Sequence, residues 1–226
     1  MSIFKLIKQG IVLLETAFFS RYSSPEKYQD YVVESGRQEL AKEVASVVLT
    51  ANGRQKSAKL KVLDVAAGTG LVSQALLDAD CSVVAFDHSA EMLNTLKRQF
   101  KGIKTQVGDM NQPWTFANAQ FDVVTIVWGN RYIVYLEHFS REALRVLKPG
   151  GVLVWPIFWL ERPLWWLFLL KKMGISQLFS IVKLAPKSIA DTLRFSGFNS
   201  ITFESSKLQR EVGWWQKPRY VIAKKA

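Results

Sequence analysis

From Lys61 to the carboxyl terminus, short apolar runs alternate with stretches whose apolar positions recur at helical spacing. The runs KVLDVA (61–66), CSVVAFD (81–87), KTQVGD (104–109), FDVVTIVW (121–128) and GVLVWPIF (151–158) read as strands. Between them LVSQALLDA (71–79), SAEMLNTLKRQF (89–100) and SREALRVL (140–147) read as helices. Further on, residues 186–196 read as a helix closed by Gly197, followed by the strands NSITFES (199–205) and RYVIAKK (219–225). Strands alternating with helices in this way predict an α/β fold, a doubly wound, seven-stranded, mostly parallel sheet with helices on both faces.

The first fifty residues follow the helical period alone, with Ile3, Phe4, Leu6, Ile7, Ile11 and Leu14 on one stripe and Lys5 and Lys8 between them. Ser23, Ser24 and Pro25 punctuate this region, and Pro25 suits the first turn of a second helix running from about Glu26 to Leu49. The polar loop ANGRQKSAK (51–59) separates it from the alternating region. The predicted organisation is a helical lid over residues 1–50 and a core over 58–226. Within the core, residues 156–185 form an aromatic insertion after the fifth strand.

Length and composition fit one compact α/β domain with room for such additions: 226 residues, 49% of them hydrophobic. A spanning helix needs roughly 20 consecutive apolar residues, and neither Ile11–Phe19 nor Val152–Leu170 qualifies, since Pro156 and Pro163 break the second. The single cysteine, Cys81, has no internal disulfide partner, and the start of the chain lacks the signal-peptide pattern. The expected setting is reducing and cytoplasmic. A net charge of +11 and a pI near 9.8 predict attraction to an anionic partner, either nucleic acid or an acidic membrane surface.

The chemistry concentrates in VLDVAAGTG (62–70), where a buried strand passes into a helix. In an open α/β sheet this is the end at which ligands bind. Gly68 and Gly70 allow a tight turn and close backbone approach, with Ala66 and Thr69 beside them. Asp64 supplies a fixed acceptor at the strand end. A carboxylate there would repel a pyrophosphate but suits the ammonium of an amino-acid cofactor. Asp87 ends the second strand, where an acidic residue can accept from ribose hydroxyls, and His88 and Met92 follow it. Asp109 ends the third strand and could accept from an adenine amino group while Met110 packs on the ring. Taken singly, each aspartate could be a solvated strand-end cap; three in succession on one rim point to a nucleoside site.

These segments resemble the class I methyltransferases, and within them the ubiquinone and menaquinone biosynthesis C-methyltransferases and their small-molecule relatives. The resemblance covers about Val62 to Val154. VLDVAAGTG is similar to the first cofactor motif, AFDHSAEML to the ribose segment, VGDM to the adenine segment, and RVLKPGG to the turn before the fifth strand. It implies a Rossmann-like core, S-adenosyl-L-methionine as cofactor, no metal, and a cofactor site that includes Trp128. VWGNRYI is similar to the quinone enzymes' segment after the fourth strand at Gly129 and Arg131 and departs from it at Asn130 and Tyr132.

Methyl transfer from a sulfonium mainly requires alignment and exclusion of water. Arg131 is the catalytic candidate, placed to hold an oxyanion; a solvated loop arginine is the alternative. His138 reads as a surface residue and Cys81 as core packing. The acceptor should meet added elements rather than the sheet, which marks Tyr22, Tyr28, Tyr31, Tyr132, Trp155 and Trp159 as substrate candidates. The insertion's tryptophans, followed by Lys171 and Lys172, suit core packing, a hydrophobic pocket or contact with an anionic membrane. The reading is a methyltransferase acting on a hydrophobic small molecule such as a quinone precursor, lipid or secondary metabolite. Its alternatives are a nucleic-acid methyltransferase, suggested by charge, and a non-catalytic binding module for the same cofactor.

Overall fold

The computed structural model describes residues 37–53, 59–157, 186–208 and 219–226. The substrate candidates Tyr22, Tyr28, Tyr31 and Trp159 lie outside these residues, as does most of the aromatic insertion. In chain order the helices are α1 (Arg37–Ala51), α2 (Leu71–Asp78), α3 (Ala90–Gln99), α4 (Leu136–Val146) and α5 (Pro186–Ser196). The strands are β1 (Lys61–Val65), β2 (Ser82–Asp87), β3 (Lys104–Val107), β4 (Phe121–Ile126), β5 (Leu147–Ile157), β6 (Phe198–Ser205) and β7 (Arg219–Lys225).

The seven strands form one sheet in the order β3-β2-β1-β4-β5-β7-β6. β3, β2, β1, β4 and β5 are parallel neighbours, and β7 inserts antiparallel between β5 and β6. The expected doubly wound, mostly parallel sheet is therefore present. From β1 the chain winds outward through β2 and β3, then crosses back to β4. That reversal opens a crevice at the carboxyl ends of β1 and β4, the usual ligand position in such sheets.

Strand alternation divides the core into two layers. Leu63 and Val65 of β1, Val124 and Ile126 of β4, and Leu153 and Trp155 of β5 face the side covered by α4 and α5. Val62, Val123, Val152 and Val154 face the side covered by α1, α2 and α3. Leu40, Val44 and Val48 sit on successive turns of α1 and are fully buried, so this helix is a packed layer of the sheet. Burying each such side chain stabilises the fold by about 1.5–3 kcal/mol.

Two elements start four residues earlier than expected. α4 starts at Leu136 rather than Ser140, because Leu136, Phe139, Ala143 and Val146 continue one apolar stripe. β5 starts at Leu147, which pairs with Phe121 before a register shift brings Val152 opposite Val123.

Trp155 corrects the sequence reading. Expected to line a substrate pocket, it is fully buried in the core, its ring 5.6 Å from that of Phe139. The physical reason is parity on an interior strand: Trp155 shares its face with Leu153 and Ile157, which points it under α4. It ends a chain of tilted aromatic contacts that runs from Phe121 through Phe116, Phe86, Trp114 and Phe139.

Candidate active site

Asp64, the fourth residue of β1, lies on the α2 face of the sheet and is only 1% exposed. Its Oδ2 accepts a hydrogen bond from Ser73 Oγ at 2.6 Å. Burial raises its pKa to about 7, aided by repulsion from Asp87 and opposed by the bond from Ser73. A carboxyl so poorly solvated stays partly protonated near neutrality, and a cation beside it favours the ionised form.

The chain then turns through Ala66–Gly70 into α2. Gly70 has φ 91°, and a Cβ there would lie 2.6 Å from the Leu96 side chain, so only glycine fits this corner. Ala66 and Trp128 also adopt left-handed conformations, with φ of 57° and 59°, despite carrying side chains. Each such residue costs of order 1–3 kcal/mol. These two residues lie just beyond the ends of the adjacent strands β1 and β4 and line one pocket with Asp64, Thr69, Leu71 and Val127. Gly129 lets the two turns meet, since a Cβ on it would come within 2.4 Å of Ala66 Cβ.

Asp87 ends β2 beside this turn. Its Oδ2 accepts from Gly68 N at 2.8 Å, and its Oδ1 accepts from Ser89 N at 2.9 Å. Burial pushes its pKa upward, but hydrogen bonds from His88, Ser89 and Gly68 outweigh it and hold the carboxyl below the usual range. His88 Nδ1 lies 3.3 Å from Asp87 Oδ1, and this contact, with the field of Asp109, raises the imidazole's pKa. Asp87 is therefore the ionised member of the pair. Its two oxygens retain lone pairs beyond those used by the backbone donors.

Asp109 is exposed beyond β3, with Oδ1 accepting from the Asn111 backbone at 2.9 Å and from its side chain at 3.1 Å. Asp64 lies in the last residues of β1, Asp87 ends β2 and Asp109 follows β3, so the three aspartates come at the carboxyl ends of neighbouring strands. Met92 is half-buried in the first turn of α3, and Met110 is buried among the core side chains next to Trp114. Tyr132 is half-buried against the same layer. Arg131 sits in the short turn Asn130–Tyr132, and its side chain is outside the described residues.

Several contributors were not marked by the sequence. Ser73 supplies the donor for Asp64; a hydroxyl one turn into the helix after a strand-end aspartate is the available signal. Asn111 ties two loops together, donating to the Tyr132 carbonyl at 3.0 Å and accepting from Val134 N at 2.7 Å. Arg37, buried at the start of α1, places its guanidinium 4.9 Å from the centre of the Trp128 ring. Nothing in the spacing of the sequence connects Arg37 to that ring.

A buried carboxylate at one strand end, an ionised one at the next and a left-handed glycine turn between them meet at one rim of the sheet. Residues 63–155 match the family described as a methyltransferase domain. Over part of its length the chain is similar in sequence to quinone-biosynthesis methyltransferases. It is 46% identical over 94 residues to a demethylmenaquinone methyltransferase of Renibacterium salmoninarum, a match covering 42% of this chain and 39% of that protein. A ubiquinone/menaquinone biosynthesis C-methyltransferase of Geotalea daltonii is 29% identical over 208 residues, 83% of this chain and 84% of the relative. In the first case the chain spans only about two fifths of the relative's length. The structure of human N-acetylserotonin methyltransferase in complex with S-adenosylmethionine superposes with a TM-score of 0.57 and 20% identity, covering 92% of this chain and 59% of that one.

Proposed function

We propose that this protein is an S-adenosylmethionine-dependent methyltransferase that acts on a hydrophobic small molecule of the demethylquinone type. The observation that carries the reading is the pairing of Asp64 and Asp87 across the Gly68–Gly70 turn. The cofactor fits on physical grounds: Asp64 is a desolvated carboxyl that needs a cation, and an amino-acid ammonium is one. Asp87, fixed by two backbone donors, suits a pair of ribose hydroxyls. In this reading Asp109 accepts from the adenine amino group and Met92 flanks the nucleoside, with Ala66, Thr69, His88, Met110 and Trp128 completing the wall. When bound, the cofactor supplies an electrophilic methyl group on a sulfonium.

The protein's own contribution is alignment. The rigid turn and the two carboxylates fix the nucleoside and amino-acid ends, which sets the direction along which an acceptor must approach. Val127 and Trp128 exclude water from one side of the pocket. Arg131 is assigned to hold developing negative charge on a phenolic or enolic oxygen of the acceptor. The N-terminal aromatics Tyr22, Tyr28 and Tyr31, together with Tyr132 and Trp159, are assigned to the acceptor side.

The relatives' quinone chemistry supports a lipophilic acceptor. No described helix is long and apolar enough to cross a membrane. Peripheral contact with an anionic bilayer belongs to the proposal because the net charge is +11. Methyl transfer from labelled S-adenosylmethionine to a panel of demethylquinones, other lipophilic phenols and lipids tests the acceptor class. Turnover with none of them, or preference for tRNA, would remove it. Arg131→Ala should lower turnover by about 100-fold with cofactor affinity intact. Co-sedimentation with phosphatidylglycerol vesicles but not phosphatidylcholine vesicles tests the membrane component.

A further inference from the structure

We propose that Asn111 is a positioning residue that couples the adenine end of the pocket to the acceptor-side turn, by joining Asp109 to residues 132–134. This rests on the reading of the pocket as an S-adenosylmethionine site with Arg131 on its acceptor side. β3 and β4 are separated in the sheet by β2 and β1. That is three strand spacings, or roughly 14 Å, so the loops beyond β3 and β4 gain no order from pairing between their own strands. Asn111 joins them nonetheless. Its backbone N–H and its side-chain Nδ2 both donate to Asp109 Oδ1, at 2.9 and 3.1 Å, which leaves Oδ2 for an incoming amino group. Nδ2 also donates to the Tyr132 carbonyl at 3.0 Å, and Asn111 Oδ1 accepts from Val134 N at 2.7 Å.

The amide is used completely, with both N–H donors and the carbonyl engaged. Bonding to the carbonyl of one residue and to the N–H of the second residue after it is how a strand residue brackets its neighbour in a parallel ladder. The bracketed residue is Ile133, which is buried in the same core layer as Met110. Asn111 thus stands in for a strand between two loops that the topology keeps apart. Arg131 directly precedes Tyr132, so the same bracket sets the position of the turn Asn130–Tyr132. Asp109 is exposed, and its link to Asn111 can open and reclose locally. A purine amino group on Oδ2 ties Asp109 down, which makes each opening of the bracket costlier and orders the turn. Linkage makes the effect reciprocal: ordering the turn tightens the cofactor by the same factor.

The test is amide hydrogen exchange across residues 130–135 of the full chain. The probes are S-adenosylhomocysteine and its analogue with purine in place of adenine, each at a concentration that isothermal titration shows to be saturating. In the wild-type protein S-adenosylhomocysteine should slow exchange in this segment by about 10-fold, at Val134 N–H above all, and the purine analogue by less than about 2-fold. Asn111→Ala keeps the backbone bond to Asp109, so S-adenosylhomocysteine should bind only about 3-fold more weakly yet no longer protect the segment. Asn111→Asp, which retains an acceptor for Val134 N but no side-chain donor, should lose the protection too, and it carries the test if Asn111→Ala melts early. A merely structural Asn111 would raise exchange in the ligand-free variant and leave the protection factor of S-adenosylhomocysteine unchanged, which overturns the proposal. Equal protection by the two probes in the wild type, or none by either, overturns it as well. Failure of the wild-type protein to bind either probe would instead overturn the cofactor reading and this assignment with it.

Discussion

Changing pH across the titration of Asp64 should change cofactor affinity in a direction the structure dictates. The carboxyl titrates near 7 in the protein because burial outweighs the bond from Ser73. An ammonium seated against it needs the ionised form, so binding below that pH must expel a proton. At pH 5, about two units lower, affinity for S-adenosylhomocysteine should be about 100-fold weaker than at pH 8, about 3 kcal/mol. The plot of log affinity against pH should rise with a slope approaching +1 below 7 and flatten above it. Asp87 is held below the usual carboxylate range, so it contributes a constant field over most of this interval. His88, whose pKa is raised chiefly by its hydrogen bond to Asp87, titrates as well, and Asp64→Asn separates the two. Asparagine can still accept from Ser73, so the turn should survive while the slope disappears. Titration in buffers of different ionisation enthalpy should show nearly one proton released per ligand at pH 5.5. The same shift has a stability sign. The folded protein retains a proton between the ordinary value of 3.8 and about 7, so stability falls as pH rises through that window. Asp64→Asn should therefore raise the ligand-free melting temperature above pH 7. Affinity independent of pH, or a slope that persists in Asp64→Asn, would refute the assignment of Asp64.

Gly70→Ala should cost about 2–4 kcal/mol in denaturant unfolding and abolish cofactor binding, because the new Cβ meets Leu96 in a left-handed corner. Retention of wild-type stability would show that the corner relaxes. Trp155→Phe should stay within about 1 kcal/mol of wild type: the indole Nε1 is buried without a hydrogen-bond partner among the described residues, so losing it offsets the lost volume. A shift in acceptor specificity in that variant would return Trp155 to the substrate side. Glu43→Ala should destabilise by about 2–4 kcal/mol, since Tyr220 and Ser206 lose a buried acceptor, with Glu43→Gln milder. A melting temperature unchanged by Glu43→Ala would show that α1 is anchored elsewhere.

Legibility in the sequence followed from how local the physics is. β1, β2, β4 and β5 are buried on both faces, so their apolar runs announce themselves without knowledge of the partner. The Asp64–Gly70 turn was equally plain, because its glycines answer to backbone geometry within a few residues. Trp155 misled because an aromatic at a strand end looks the same whether it faces a ligand or a helix; its parity with Leu153 decides, and only the sheet register reveals which face is closed. Arg37, Asn111 and Glu43 escaped for a different reason. Their partners lie 91 residues away at Trp128, 21 at Tyr132 and 177 at Tyr220, separations that no local pattern encodes.

The electrostatics of the pocket run against those of the whole chain, and this opposition bears on function. A protein of net charge +11 repels cations at long range. Yet its sheet rim gathers Asp64, Asp87 and Asp109, and one of these is kept partly protonated by the dryness of its surroundings. Leaving a carboxyl there destabilises the empty fold. Two non-glycine residues in left-handed conformations, Ala66 and Trp128, add strain at the same spot. A structural role would be served better by apolar side chains at these positions, since buried charge is weak evidence for stability. The concentration of unfavourable terms at one crevice is what a site preorganised for a cationic, zwitterionic nucleoside requires: the ligand's ammonium relieves the desolvated acid, and binding recovers energy the apo fold gives up.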